Sequence, residues 1–307
     1  DKHSLFTQWS QARGVQFTSI KPAIIPGRGV GLLTTAKISK DDQIIFVPKN
    51  AMFTPKTAES HTKKPSPSPS PSPSPQAHLA ISIMSECLSP SSPYLTWKKT
   101  WPTLSDFESG MPLFWSPELC HHLPESVKQP LERMREDYEK DLTYMLSLNC
   151  DDQTWKEEDF KYYWAIVNSR CFHFKPPGLK PGFMVLCPFI DYMNHGPTGT
   201  GVKVSQSPKG YEVVADRDYE PNTEILATYG SHPNDKLLVH YGFCLSYKPN
   251  EPSDDDIRLD HILLPAMSAN TKSQLQDVGM LGSYALLPPS AQRQQAELCF
   301  KTQVAIR

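Results

Sequence analysis

The sequence lacks the long apolar segments that a membrane-spanning helix needs. No uninterrupted apolar run approaches the ~20 residues required to cross a bilayer, and the longest candidate, Phe183 to Ile190, is interrupted by Pro188. No signal peptide opens the chain. We therefore expect an intracellular protein without a membrane partner, in either the nucleus or the cytoplasm.

The chain also lacks paired cysteines, an excess of positive charge and several common catalytic motifs. Its seven cysteines form no CxxC pair, and their odd number favours reduced thiols over a disulfide or zinc framework. The 31 Lys and Arg residues are balanced by 33 Asp and Glu residues, which argues against a general basic surface for nucleic acid. No GxSxG, GxxxxGK[ST] or HExxH motif occurs. We therefore expect no nucleic acid and no metal.

The composition changes abruptly after residue 55 of the 307. From Pro65 to Pro75, proline and serine alternate without an apolar residue, a pattern typical of an extended, polyproline-like linker. Residues 56–76 are therefore predicted to link two structured parts. Each serine from Ser66 to Ser74 precedes a proline, so proline-directed phosphorylation is an alternative to a plain spacer.

Hydrophobic spacing on either side of this linker predicts both strands and helices, and hence an α+β fold. The linker is followed by a mainly helical stretch that ends near residue 175, and β patterns resume at residue 183. The predicted strands cover 30–35, 43–48, 183–186, 202–205, 211–214 and 224–228, and the predicted late helices cover 234–241, 262–267 and 296–306.

A glycine-rich turn, Gly27-Arg28-Gly29-Val30-Gly31, precedes the first predicted strand. Glycine permits close approach of the backbone to a ligand, so the turn is a candidate binding element. On its own it is also typical of a plain strand-entry turn. It is not a dinucleotide fingerprint, because a strand and not a helix follows it.

A second polar segment, Asp191-Tyr192-Met193-Asn194-His195, follows a buried apolar strand. Polar side chains in such a place must be hydrogen-bonded, because an unpaired buried group costs about 1–3 kcal/mol. Taken singly, His195 fits a satisfied core histidine and Asn194 an ordinary turn residue. Together, at the end of a buried strand, they are better placed to hold a polar ligand.

Two tyrosines flank a short loop near the end of the β region. Tyr229-Gly230 precedes the loop, and Tyr241-Gly242-Phe243 follows the predicted helix that begins at Asn234. These tyrosines either belong to an aromatic core or form a narrow aromatic wall, with inward hydroxyls, that is suited to desolvating a cation.

The order of these elements along the chain resembles that of a SET-domain protein methyltransferase. The glycine turn is followed by Asn168-Ser169-Arg170, the Asp191–His195 segment, Tyr211 to Asp218, and the two tyrosine elements. The chain is most similar to the subclass that resembles the Rubisco large-subunit methyltransferase. In that subclass a helical insertion splits the SET domain, and a helical substrate-binding domain follows it.

This resemblance implies an α+β SET fold of small β-sheets with a knot-like threading of its C-terminal segment. Residues 1–55 and 181–247 would form the two parts of the SET domain. Residues 77–180 would form the insertion, and residues 248–307 the beginning of the helical substrate-binding domain.

The family uses S-adenosylmethionine to methylate a lysine side chain of a protein, and one member of the subclass methylates histidine. The resemblance therefore implies S-adenosylmethionine as cofactor and, as partner, a protein with the target lysine, such as a ribosomal or nuclear protein. A monomer is expected. Histidine methylation and an inactive SET-like interaction module stay open as alternatives.

The resemblance also implies a set of cofactor-binding residues. Arg170 is expected to reach the cofactor carboxylate, while Asn194 and His195 hold its amino-acid and adenine ends. Asn234 is expected beside the cofactor, and the glycine turn is expected to line it through the backbone. The complete set is Arg28, Gly29, Val30, Arg170, Asn194, His195 and Asn234.

The substrate lysine is expected to enter a channel walled by Tyr229 and Tyr241, the two catalytic residues. Asp191 either faces the substrate lysine or supports the cofactor residues. The sequence departs from the family where Pro233 replaces a common serine, which removes any contact through that side chain. No cysteine cluster follows Phe243, so the zinc-binding module of many histone enzymes is absent.

Overall fold

A computed structural model describes residues 1–55, 73–148, 155–178, 181–246, 248, 251–289 and 296–306. Its helices α1 to α11 are Lys2–Ala12, Pro75–Leu88, Leu95–Lys98, Leu104–Gly110, Pro117–His121, Glu125–Ser147, Glu157–Arg170, Asn234–Tyr241, Asp260–Ala266, Ala269–Asp277 and Phe300–Ala305. Its strands β1 to β13 are Gln16–Phe17, Ile20–Ile25, Gly29–Thr34, Gln43–Pro48, Cys171–Phe174, Phe183–Leu186, Asn194–His195, Lys203–Ser207, Gly210–Val214, Glu224–Ala227, Ile257–Arg258, Ala285–Leu287 and Glu297–Leu298.

Two four-stranded sheets join the parts of the chain that lie before and after the helical stretch. One has the strand order β1-β4-β9-β8 and the other β2-β3-β10-β7. Strand β10 is central to the second sheet, where it pairs antiparallel with β3 and parallel with β7. The predicted α+β architecture, with small sheets interrupted by a helical insertion, is confirmed. The knot-like threading stays a prediction.

Local sequence explains where the helices around the site begin and end. Helix α2 has Pro75 at its first position, and the side chain of Ser74 caps it by accepting a hydrogen bond from the Ala77 N–H. Helix α8 ends at Gly242, whose φ of 79° is the left-handed conformation that favours glycine.

The insertion packs around one buried carboxylate. Asp141 on α6 is 3% exposed, and it accepts hydrogen bonds from both the N–H and the hydroxyl of Ser74, at 3.0 and 2.6 Å. It also accepts one from the Trp164 indole N–H at 2.9 Å. This carboxylate therefore ties α2 to α6 and α7, the helix that ends at Arg170.

The predicted β elements agree with the structure more closely than the predicted C-terminal helices do. The strand 183–186 and the helix 234–241 have the predicted bounds. Strand β2 was not predicted. A helix over 296–306 was wrong in part, because Glu297–Leu298 is a strand and the helix begins only at Phe300. Residues 257–298 contribute a three-stranded sheet, β11-β12-β13, to a region that was expected to be helical.

Two further expectations concern the linker and the membrane. The linker serines Ser66 to Ser72 lie outside the described residues, so only Ser74 has a described structure. Among the described helices, none combines the length and the apolar character that crossing a bilayer requires.

We predict that Asp141→Ala lowers the free energy of unfolding by about 2–4 kcal/mol, because it leaves the Trp164 and Ser74 donors unpaired in the interior. Urea unfolding measures the effect. The control is Asp137→Ala on the same helix, which removes only an exposed ion pair with Lys140 and should change stability by less than about 1 kcal/mol. Equal effects of the two variants would contradict this account.

Candidate active site

A large cavity of about 1010 Å³ gathers residues that are far apart in the sequence. The glycine turn, β7, β10 and the end of α8 all contribute to its wall. Its wall includes Arg28, Asn194, His195, Glu224, Tyr241 and Phe243. The structure therefore brings four of the seven predicted cofactor-binding residues, Arg28, Asn194, His195 and Asn234, into the wall of one cavity.

A small cavity of about 220 Å³ lies next to the large one. The end of α7, the segment before β7 and the residues that follow β10 form its wall. Its wall includes Arg170, Cys171, Asp191, Met193, Tyr229 and Tyr241. Tyr241 belongs to the walls of both cavities, so the two spaces adjoin at this side chain.

Aromatic rings surround the junction of the cavities. The ring centroid of Tyr229 lies 5.1 Å from that of Tyr241 and 5.1 Å from that of His195. The ring centroid of Phe243 lies 6.2 Å from that of Tyr241 and 6.2 Å from that of His195. These contacts fit the expected narrow aromatic wall.

The two tyrosine hydroxyls differ in their hydrogen bonding. The Tyr229 hydroxyl donates to the Met193 carbonyl at 2.6 Å, so its oxygen can only accept from a group in the small cavity. The Tyr241 hydroxyl makes no such hydrogen bond within the described residues, and its side chain lines both cavities. Burial raises the pKa of each tyrosine to about 12, so both hydroxyls stay protonated at neutral pH.

A carboxylate that the sequence analysis missed holds two of the predicted residues. Glu224 accepts a hydrogen bond from Asn194 Nδ2 at 2.8 Å and one from Arg28 at 2.9 Å. Because Asn194 donates to Glu224 through Nδ2, its side-chain carbonyl oxygen can still accept a hydrogen bond. A Cβ atom at Gly31 would lie 2.8 Å from both Asn194 Nδ2 and Glu224 Oε1, so this arrangement requires glycine there.

A hydrogen bond from the backbone N–H of Tyr229 determines which nitrogen of the His195 ring carries the hydrogen. Its Nδ1 accepts a hydrogen bond from the Tyr229 N–H at 3.1 Å, and burial lowers the pKa of the ring. The neutral ring must therefore carry its hydrogen on Nε2. That nitrogen is buried and has no hydrogen-bond partner in the described part of the chain. A buried unpaired donor points to a ligand that supplies an acceptor.

Arg170 and Asp191 form an ion pair on the wall of the small cavity, in which the Asp191 side chain is buried and that of Arg170 is partly exposed. The Arg170 guanidinium donates to the Asp191 carbonyl at 2.8 Å and lies 3.6 Å from its carboxylate. Trp97, from the insertion, donates its indole N–H to the same carboxylate at 3.0 Å. Burial raises the pKa of Asp191, while Arg170 and Trp97 oppose this rise. Asp191 Oδ1 and Arg170 Nε have no partner among the described residues.

Four of the predicted cofactor-binding residues either lie outside the wall of the large cavity or have their side chains bound elsewhere. Asn234 lies on the wall of the large cavity, but its side chain is held by Leu245 and Asp255. Gly29 and Val30 begin β3 beside the wall without lining it, and Arg170 lines the small cavity only. The assignments of all seven predicted residues to the cofactor stay predictions.

Sequence reasoning missed Glu224 and Trp97 for different reasons. Glu224 opens a predicted strand, where a charged residue is typical of a solvent-exposed edge. Only the strand pairing, which places β10 between β3 and β7, shows that its carboxylate meets Arg28 and Asn194. No sequence signal connects Trp97 with Asp191, 94 residues away. In the described part of the chain, no group of three or more His, Cys, Asp or Glu side chains could hold a metal ion.

Comparison with known families identifies the class of this chain. The sequence profile of the SET domain matches residues 29–230, which is more than half of the chain. The chain therefore belongs to the SET-domain family.

Several curated relatives are similar to most of the chain. SET domain-containing protein 4 of Homo sapiens is 25% identical over 261 residues, which are 79% of this chain and 58% of that protein. Ribosomal lysine N-methyltransferase set11 of Schizosaccharomyces pombe is 26% identical over 290 residues, 90% of this chain and 68% of that protein. Actin-histidine N-methyltransferase of Danio rerio is 24% identical over 229 residues, 70% of this chain and 37% of that protein. The chain thus spans little more than half of its human relative.

Solved structures share the fold. The SET domain of LSMT bound to MeLysine and AdoHcy has a TM-score of 0.65 and 17% identity, and the match covers 94% of this chain and 68% of that one. Rubisco LSMT bound to AdoMet has a TM-score of 0.61 and 18% identity, over 81% of this chain and 57% of that one. The expected fold of the Rubisco methyltransferase subclass is confirmed.

Proposed function

We propose that the protein is an S-adenosylmethionine-dependent methyltransferase that modifies a lysine side chain of a protein substrate. The observation that carries this proposal is the junction of a large polar cavity and a small aromatic cavity at Tyr241. Methyl transfer is an in-line displacement, which requires two ligands to meet end to end. Two adjoining cavities with a common wall residue provide that arrangement.

The residues around the large cavity fit S-adenosylmethionine. Its adenine and amino-acid ends carry both hydrogen-bond donors and acceptors. The wall includes His195, whose Nε2–H donor is unpaired, and Asn194, whose side-chain oxygen can accept. Arg28, which Glu224 holds in place, adds a positive charge near the glycine turn. When bound, the cofactor supplies a methyl group on a positively charged sulfur.

The small cavity fits the side chain of lysine. A lysine amine must be neutral to react, and with a reference pKa near 10.4 only roughly one in a thousand is neutral at pH ~7.4. The aromatic wall removes water from the amine, and desolvation lowers its pKa. The carboxylate of Asp191 would oppose this effect, but the Arg170 guanidinium balances its charge. The oxygens of Tyr229 and Tyr241 can orient the amine without acting as bases.

Histidine methylation is the second candidate, favoured by the similarity to actin-histidine N-methyltransferase. An imidazole has a reference pKa near 6.5 and is mostly neutral at physiological pH. It would need far less desolvation than a lysine amine. The third candidate is an inactive interaction module. Such a module would not need the unpaired donor of His195.

To identify the acceptor, the full-length protein and tritiated S-adenosylmethionine are added to an extract of knockout cells. We expect a labelled protein band in which mass spectrometry finds methyl-lysine. Methyl-histidine in that band would favour the second candidate. The lack of any label, together with a failure to bind S-adenosylhomocysteine, would favour the inactive module.

We predict that Glu224→Gln weakens S-adenosylhomocysteine binding by about ten-fold, because it removes the ion pair with Arg28 and frees the Asn194 amide to turn. Titration calorimetry measures the affinity. The control is Glu220→Gln, whose side chain is 74% exposed and lies 3.9 Å from Lys37, and its affinity should match that of the native protein. An unchanged affinity in Glu224→Gln would show that the carboxylate does not organise the site.

We predict that Tyr241→Phe lowers turnover by about ten-fold or more while S-adenosylhomocysteine binding is kept, because only the hydroxyl that orients the amine is lost. Methyl transfer to the identified substrate and calorimetry give the two values. Tyr144→Phe is the control, since Tyr144 is buried on α6 and lines neither cavity. Equal turnover in the Tyr241 and Tyr144 variants would exclude a catalytic role for Tyr241.

We predict that kcat/KM for the labelled protein substrate rises about ten-fold per pH unit from pH ~7 to ~9, because the acceptor is a lysine and the neutral fraction of the free amine rises by that factor. No alkaline decline from the tyrosines is expected in this range, since their pKa values of about 12 keep them protonated. A pH–rate profile tests this. A profile that is flat above pH ~7.5 would indicate a histidine acceptor instead.

A further inference from the structure

Helix α8, which carries Tyr241 in its last turn, receives its N-terminal cap from a distant part of the chain. Pro233 precedes the helix and offers no side-chain cap. Instead, Asp255 accepts a hydrogen bond from the Asn234 N–H at 2.8 Å with one oxygen, and one from Asn234 Nδ2 at 2.9 Å with the other. A carboxylate at this end of a helix satisfies a free N–H and interacts favourably with the helix dipole.

The Asn234 side chain also forms hydrogen bonds with the segment that follows the helix. Its side-chain oxygen accepts a hydrogen bond from the Leu245 N–H at 2.7 Å, and its Nδ2 also donates to the Leu245 carbonyl at 3.0 Å. Phe243, two residues earlier, lines the large cavity together with Leu245. Asp255 therefore holds the start of α8 and, through Asn234, the chain that returns from its end.

The neighbouring Asp254 connects two more parts of the cavity rim. One oxygen accepts hydrogen bonds from the N–H and the hydroxyl of Thr198, at 2.7 and 3.1 Å. The other accepts one from the Ser231 hydroxyl at 2.9 Å. Thr198 lies in the loop after β7, between Pro197 and Thr200, which both line the large cavity.

We propose that Asp254 and Asp255 act as positioning residues that hold the rim of the large cavity closed around its ligand. Their four carboxylate oxygens tie together the loop after β7, the loop before α8 and the segment after α8. This inference rests on the proposed function, because the ligand in question is S-adenosylmethionine. It assigns the retention of that ligand to residues outside the segment 29–230 that matches the SET profile.

Replacement of either aspartate by asparagine would remove some of the hydrogen bonds that hold this rim together. Asp255 faces two donors, so the NH₂ group of an asparagine at this position would meet one of them and repel it. Asp254 faces three donors and would be affected in the same way. The expected consequence is a rim that opens more often, and hence a faster dissociation of the ligand.

The test compares Asp255→Asn and Asp254→Asn with the control Asp256→Asn. Asp256 is in the same acidic run but pairs with Arg258 at 3.6 Å and is not on the cavity wall. We expect Asp255→Asn to raise the dissociation rate of S-adenosylhomocysteine by about ten-fold and the KM of S-adenosylmethionine by a similar factor. The KM of the protein substrate and the melting temperature should stay near native values, which a general loss of stability would not allow.

Hydrogen exchange of the ligand-free protein gives an independent readout. The amides of Asn234, Thr198 and Leu245 should exchange faster in the Asp255 and Asp254 variants than in the Asp256 variant. If the native protein binds no S-adenosylhomocysteine, the proposed function fails and the exchange rates alone decide whether the aspartates hold the rim. If the native protein binds it and the Asp255 and Asp254 variants retain it as long as the Asp256 variant does, the positioning role is overturned.

Discussion

The position of β10 between β3 and β7 is the constraint on which the site depends. Pairing with β3 places the Glu224 carboxylate next to the glycine turn, and the parallel pairing with β7 aligns Ala227 with His195. Tyr229 follows two residues after the end of β10, and its N–H donates to His195 Nδ1, which sets the tautomer of that ring. Strand β10 therefore positions the polar groups of the large cavity, and the residues that follow it contribute Tyr229 to the aromatic wall of the small cavity.

The helical insertion and the segment after residue 250 complete what this sheet begins. Helix α7 delivers Arg170 to the small cavity, and Trp97 holds the Asp191 carboxylate that pairs with it. From the other side, Asp254 and Asp255 reach the rim of the large cavity. The site is thus assembled from four separate parts of the chain, and polar side chains make the connections between them. Trp97 and Asp191 are buried, whereas the contacts of Asp254 and Asp255 are exposed. A buried polar group is costly to leave unpaired, which favours a single arrangement around Asp191.

Local patterns predicted much of the fold and part of the site. The turn around Gly27, the strand before Asp191 and the helix from Asn234 to Tyr241 follow from glycine placement and apolar spacing, which are local properties. The resemblance to SET proteins then indicated which of these segments share a site. Glu224, Trp97 and Asp255 were missed because their roles come from contacts with residues far away along the chain. The strands of the C-terminal sheet were missed because runs of two or three residues carry no periodic signal.

We infer that the two cavities hold a methyl donor and an amine end to end across Tyr241. The most direct measurement is a crystal structure of the chain with S-adenosylhomocysteine and a lysine peptide bound together. We expect the sulfur at the Tyr241 end of the large cavity and the amine in the small cavity, with about 3–4 Å left for the transferred methyl group. A sulfur that lies away from Tyr241, or a lysine that enters by another surface, would contradict this inference.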